Sequence, residues 1–147
     1  MEPLSEQGVI DATRELLLSY ERLDGSWRHS LGITADEKLL VAFLAGRGVA
    51  RRDQLGEWTG MTEAEVSSAA DSLVPQGLLH NSSVSEDGHV LQLAKRGAVA
   101  RLRFEAVFDD LAAAALRPGG EQSAAIVTFL HDAMGIFDAH AELPATD

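Results

Sequence analysis

Met61-Thr62-Glu63-Ala64-Glu65-Val66-Ser67-Ser68-Ala69-Ala70-Asp71-Ser72-Leu73 is the stretch on which the fold turns. Thr62 and Glu65 have the spacing of a capping box, in which each side chain accepts from the other residue's backbone N–H, and so mark a helix start. Val66, Ala69, Ala70, Leu73 and Val74 recur on one face, and Pro75 with Gly77 cuts the run. Just upstream, Arg51 to Thr59 predicts a shorter helix with Leu55 and Trp58 on one side, closed by Gly60. Two short helices across a tight glycine turn make a helix-turn-helix, an arrangement that lays its second helix in the DNA major groove. Here that helix presents Glu63, Glu65, Asp71 and serines, with no Lys or Arg. Phosphate neutralisation by Lys and Arg supplies most non-specific DNA affinity, and Arg is the commonest reader of guanine edges. The outline of a DNA reader is present without its usual chemistry.

Working outward, Leu78-Leu79-His80 and His89-Val90-Leu91-Gln92-Leu93, separated by a polar stretch with Asp87-Gly88, predict a β-hairpin. Thr34 and Glu37 make a second capping box before Leu39-Leu40-Val41-Ala42-Phe43-Leu44, a helix stopped around Gly46-Arg47-Gly48. From about Gln7 to His29 the spacing is helical: Val9, Leu16 and Leu23 are seven apart, as are Thr13, Tyr20 and Trp27. Gly25 interrupts this pattern and is expected to bend or end the helix near Trp27. Ala94 to Leu116 is helical again, with Phe104, Val107, Phe108, Leu111 and Ala115 in one stripe. Pro118-Gly119-Gly120 breaks it, and a last helix from about Glu121 to Ala141 carries Ile126, Phe129, Leu130, Ala133 and Phe137. The fold class is therefore mainly α with a small β-hairpin wing, a winged helix-turn-helix with long N- and C-terminal helices.

The 147 residues are the usual size of one domain, and an apolar share of 46% suits a globular chain. No apolar run nears the ~18 residues that span a bilayer, and the opening Met1-Glu2-Pro3-Leu4-Ser5-Glu6 is acidic where a signal peptide is basic. A cytoplasmic protein with no membrane partner is expected. Absence of cysteine removes disulfides, thiolate metal sites and thiol redox chemistry. The net charge of −11 opposes polyanions at long range, although a local basic patch overrides such a total. That patch is thin. From Asp36 to Arg96, Lys38, Arg47, Arg51, Arg52, Lys95 and Arg96 face nine acidic residues.

The order of long helix, three short helices, hairpin and two long helices resembles the MarR family of bacterial transcriptional regulators, over roughly Gln7 to Leu143. The family's "V-S-R-L-V-D-R-L-E-x-x-G-L-V" is matched by Val66-Ser67-Ser68-Ala69-Ala70-Asp71-Ser72-Leu73-Val74-Pro75-Gln76-Gly77-Leu78-Leu79, and its "L-T-x-x-G" by Leu93-Ala94-Lys95-Arg96-Gly97. The resemblance implies one domain over residues 1–147, with a winged module at about 34–97 and dimerisation helices at about 7–29 and 98–141. It also implies a homodimer on a pseudo-palindromic operator and a small aromatic or lipophilic ligand. Three apolar-striped helices, more than the winged module covers, independently favour a dimer.

The departures from the family are concentrated on one surface. Its recognition-helix arginines align with Ser68 and Ser72, and its wing "E-D-R-R" with Glu86-Asp87-Gly88-His89. A wing arginine works through the negative potential of the narrow minor groove; glycine cannot, and histidine does so only when protonated. Remaining candidates for DNA contact are Arg51, Arg52, Gln54, Thr62, Ser67, Ser68, Ser72, His89, Lys95 and Arg96. Double-stranded DNA stays open as a partner.

The family's ligand crevice, between dimer helices and winged module, corresponds here to Tyr20, Trp27, His29, Phe43, Arg103, Phe104 and Phe108. Aromatic residues with a few polar groups are the usual lining of a small-molecule pocket, while the same stripe at helical spacing also describes plain core. No cofactor or metal is expected: His131 and His140, nine apart on one helix, point about 180° apart. No catalytic motif is present, neither His-Glu-x-x-His, nucleophile elbow, P-loop nor GxGxxG.

Three uses of this frame stay open at the level of sequence. The first is a ligand-responsive homodimeric regulator with weakened or atypical DNA contacts. The second is a protein that has left DNA and binds or transforms a small molecule in the crevice, with Trp27, His29 and Arg103 for recognition or acid–base work. The third is an acidic surface for a basic protein, disfavoured because the negative charge is spread along the chain.

Overall fold

The computed structural model describes residues 4–85 and 88–142, with side chains outside 83–89. In chain order the elements are α1 (Glu6–Leu31), α2 (Ala35–Arg47), β1 (Val49–Arg51), α3 (Arg52–Thr59), α4 (Glu63–Leu73), β2 (Leu79–Ser85), β3 (Gly88–Leu93), α5 (Lys95–Leu116) and α6 (Gly120–Ala141). This is the expected winged helix, mainly helical with one small antiparallel sheet. The chain divides after Val99 into two compact units.

In the first unit the core is built from helix faces that alternate with polar surface at helical spacing. Leu40, Val41 and Leu44 of α2, Leu55 of α3, and Val66 and Leu73 of α4 are all fully buried. Each such side chain contributes roughly 1.5–3 kcal/mol relative to exposure, so this apolar set dominates the stability of the unit. Both capping boxes form. Glu37 N donates to Thr34 Oγ1 and Thr34 N to Glu37 Oε1, and the same reciprocal pair joins Thr62 and Glu65. Between α3 and α4 the turn needs Gly60 at φ 76°, in the left-handed region open to glycine.

The sheet order is β1-β3-β2, both pairings antiparallel. Ala50 pairs with Leu91, and Asn81 takes the other side of Leu91. Strand β1 has no counterpart in the sequence reading, which began a helix at Arg51; three residues after Gly48 are too few to show a strand period. The hairpin arms are longer than Leu78–His80 and His89–Leu93 suggested, and the register shifts between Ser82 and Ser85. Residues Glu86 and Asp87, which align with the family's wing tip, lie outside the described residues.

One expectation for α1 fails. Gly25 neither bends nor ends it: the helix runs unbroken to Leu31 and stops at Gly32, whose N–H reaches Arg28 and His29 carbonyls. A single glycine costs about 1 kcal/mol in a helix interior, which 26 residues of otherwise favourable spacing absorb. No α1 residue is fully buried, and Val9, Leu16, Leu17 and Leu18 are exposed.

The second unit holds most of α5 and all of α6. Ser123 staples the turn between them: its Oγ donates to Ala115 O at 2.7 Å and accepts from Gly119 N at 3.0 Å. Along α6, Val127, Leu130, Met134 and Phe137 advance in steps of three, four and three and are all about half exposed. Ile126 and Ala133, expected in that stripe, lie beside it and are half-buried.

Candidate functional site

Helix α4 buries Val66, Ala69, Ala70 and Leu73 and turns Glu63, Ala64, Glu65, Ser68, Asp71 and Ser72 outward. The outward face of the second helix of the helix-turn-helix is thus acidic and hydroxylic. Hydrogen bonding to the Thr62 backbone N–H holds the Glu65 carboxyl below its ordinary range, so it is ionised at neutral pH. Thr62 spends its hydroxyl as the helix cap. Ser72 accepts from Gln76 Nε2 through both its carbonyl and its hydroxyl oxygen. Ser67 is half-buried and Ser68 exposed.

The cations around this face are mostly committed to partners within the chain. Arg52 Nη2 sits 3.2 Å from Asp71 Oδ1, bridging α3 to α4. Arg51 Nε is 3.1 Å from Asp53 Oδ1, and the Arg51 backbone N–H donates to Gln54 Oε1 at 3.0 Å. The Asp53 carboxyl is held below its ordinary range by the Arg51 hydrogen bond. Arg96 Nη2 donates to Leu31 O at 2.9 Å, closing the carboxyl end of α1. The Arg47 guanidinium stacks 4.3 Å over the Trp58 ring. Lys38 is buried. Lys95 is exposed and, among the described residues, is the one cation of the module with no such partner. His89 falls on β3, its side chain outside the described set.

Elsewhere in the first unit, α1 and α2 meet in a cluster centred on Lys38. Its Nζ is 2.6 Å from Asp24 Oδ1, donates to Tyr20 Oη at 3.1 Å, and lies 5.4 Å and 5.3 Å from the Tyr20 and Trp27 ring centroids. Arg28 Nε adds a second cation to Asp24 at 3.0 Å. Burial by itself lowers the Lys38 ammonium, but the Asp24 and Tyr20 hydrogen bonds outweigh it and hold the group above its ordinary value. Asp24 is displaced the other way: burial raises its carboxyl, and Lys38 with Arg28 pulls it below the ordinary range.

A shallow groove of about 580 Å³ opens beside the cluster, lined by Tyr20, Lys38, Leu39, Ala42, Phe43, Gly46 and Arg47. Two of the sequence-derived ligand candidates, Tyr20 and Phe43, therefore share one surface, and Trp27 joins Tyr20 around the same ammonium. Phe43 also stacks on Trp58, with centroids 6.5 Å apart. His29 is exposed near the end of α1 and does not line the groove. Arg103, Phe104 and Phe108 belong to α5 in the second unit, Phe104 buried and the other two exposed. Asp24 and Lys38 were not among the ligand candidates, Lys38 having counted only as one cation of the thin basic patch. Their signal was present, since Lys38 sits one turn before the core residue Val41 and Asp24 one turn before Arg28. Among the described residues no cluster of His, Cys, Asp or Glu has the makings of a metal site.

No family model matches the chain, and no curated protein matches it. Solved structures do. A MarR family transcriptional regulator from Silicibacter pomeroyi superposes with a TM-score of 0.63 at 19% identity, over 90% of this chain and 88% of that one. A transcriptional regulator from Thermotoga maritima gives 0.56 at 19% identity, over 92% and 98%. A MepR variant from S. aureus, solved bound to an oligodeoxyribonucleotide, gives 0.59 at 12% identity, over 90% and 96%.

Proposed function

From a chain that has the fold of MarR-type regulators, we propose a homodimeric, ligand-responsive transcriptional regulator whose direct hold on DNA is weak. The observation that carries the weak hold is the internal commitment of the cations: five of the six in the winged module are paired, stacked or buried within the chain. A cation already neutralised by a neighbouring carboxylate must break that pair before it releases a phosphate counterion. Each phosphate contact that is missing removes ~0.9 from the logarithmic salt slope, so affinity is low and changes little with salt. The exposed apolar stripes of α1, α5 and α6 support the dimer, because contiguous apolar helix faces of this size require a partner surface. The Tyr20–Phe43 groove, with an ammonium and an ionised carboxylate at its edge, suits a small aromatic or lipophilic ligand carrying one polar group.

The test is binding to the DNA upstream of the protein's own coding sequence, by fluorescence anisotropy at low and moderate salt. Competable binding with a preference for that DNA over scrambled duplex is expected at low salt. Absence of binding at low salt overturns the proposal. It would leave the second use of the frame, a small-molecule protein that has left DNA, which the same pairing of cations also favours.

A further inference from the structure

We infer that the cleft between the start of α2 and the outer face of α4 is a binding site for a small organic cation, an aliphatic ammonium. The cleft encloses about 380 Å³ and is lined by Thr34, Asp36, Glu37, Glu65, Ser68 and Ser72, with the methyl groups of Ala64 and Ala69 as its apolar part. Three carboxylates and three hydroxyls converge there without one cation among the lining residues. Such a wall repels phosphates and carboxylates and attracts a donor-rich positive group, in a chain whose net charge is already −11.

The acidic cluster alone says little, since Glu37 and Glu65 each serve a capping box through Oε1. The decisive feature is the second oxygen of Glu37. That residue is only 7% exposed, and its Oε2 is closed off and lacks a hydrogen-bond partner among the described residues. A buried carboxylate oxygen left without a donor is costly and uncommon. Glu37 forms part of the cleft wall, and the terminal torsion of a glutamate is soft, so a turn that loosens the Oε1 bond to Thr34 N offers the carboxylate to a cleft occupant. An ammonium brings three N–H donors, enough for Glu37 and two of the flanking oxygens. A metal ion fits less well, because no group of three ligating side chains has metal-binding geometry among the described residues. The site holds whether or not α4 meets DNA, although Ser68 and Ser72 belong to both surfaces.

Calorimetric titration of the full chain with 1,4-diaminobutane, with 1,4-butanediol and succinate as neutral and anionic controls and Mg²⁺ as a simple cation, tests this. Saturable binding of the diamine alone is expected. Glu37→Gln keeps the capping geometry, because glutamine serves at that position, and weakens diamine binding about tenfold or more by removing the charge-assisted bond. Ser68→Leu, at an exposed helix position, fills the cleft and abolishes binding while melting temperature holds. Glu57→Gln, an exposed acid on α3 outside the cleft, leaves binding unchanged. No saturable diamine binding, equal binding of Mg²⁺, or equal losses in Glu37→Gln and Glu57→Gln would each overturn the assignment, the last by exposing general attraction to an acidic protein.

Discussion

Arg52 and Asp71, nineteen residues apart in sequence, are joined by an ion pair of 3.2 Å that ties the first helix of the helix-turn-helix to the second. Asp71 is 71% exposed and Arg52 31%, so the pair contributes at most about 1 kcal/mol to stability. Its larger effect is on charge placement, because it neutralises an arginine at the outer face of α4. Asp71→Asn should therefore leave the melting curve almost unmoved and raise DNA affinity at low salt. Adding Ser68→Arg and Ser72→Arg should raise it further and steepen the salt dependence, by ~0.9 in slope per new phosphate contact. Anisotropy titrations across a salt series read both quantities. A triple variant with no gain would mean that α4 does not approach the duplex.

Lys38 and Asp24 set the pH limits of the α1–α2 junction. Asp24 is held below its ordinary value near 3.8, so its contribution is complete above that value and is lost as pH falls through the lower folded-state value. Lys38 is held above 10.5, so its contribution is complete below that value and is lost as pH rises beyond it. Between the two limits the contribution of this pair does not vary with pH. Asp24→Asn leaves Lys38 buried with no acidic partner at Asp24 and should cost about 2–3 kcal/mol at neutral pH, less than the ~3–5 kcal/mol of a fully enclosed pair because Asp24 is 21% exposed. Urea unfolding at pH 7 and pH 3 checks the sign: the gap between wild type and variant should narrow in acid.

How far the sequence reached follows from what each signal depends on. Capping boxes and helical stripes are local, and Thr34–Glu37, Thr62–Glu65 and the α4 core face were legible because a few neighbouring residues define them. Strand β1 was not, since Val49–Arg51 becomes a strand only by pairing with β3, some forty residues on. The groove was half legible: Tyr20 and Phe43 were picked by side-chain type, whereas the pairing of Lys38 with Asp24 exists only where α1 packs on α2. Likewise the scarcity of free cations went beyond a count of residues. The six arginines and lysines between Asp36 and Arg96 were visible in the sequence, but their partners were not.

Gly97 and Gly46 should respond to alanine in opposite directions. A Cβ on Gly97 would fall 2.2 Å from the Leu78 carbonyl oxygen, a backbone atom already accepting from Ala94 N and unable to retreat. Gly97→Ala is expected to destabilise the protein by about 3 kcal/mol, the upper range for forcing an extra methyl into a packed site. Gly46 stands exposed inside α2 with open space around its Cβ position, so Gly46→Ala should stabilise by about 0.5–1 kcal/mol. Chemical denaturation of both variants gives the two signs in one experiment.

Along α6, Leu130 and Phe137 are seven residues apart on the exposed stripe and are 48% and 52% exposed. Steps of three and four are the seam spacing of interlocking helices, and each seam residue needs a facing partner to leave water. If a second copy supplies that partner, a charge at both positions must be carried into the interface uncompensated, which association cannot offset. Leu130→Glu with Phe137→Glu should therefore convert a dimer to a monomer by light scattering and remove the concentration dependence of the melting temperature. DNA binding should fall with it, because two winged modules held at fixed spacing gain affinity that one module lacks. A variant that stays dimeric would exclude this stripe from the interface and shift attention to the exposed leucines of α1.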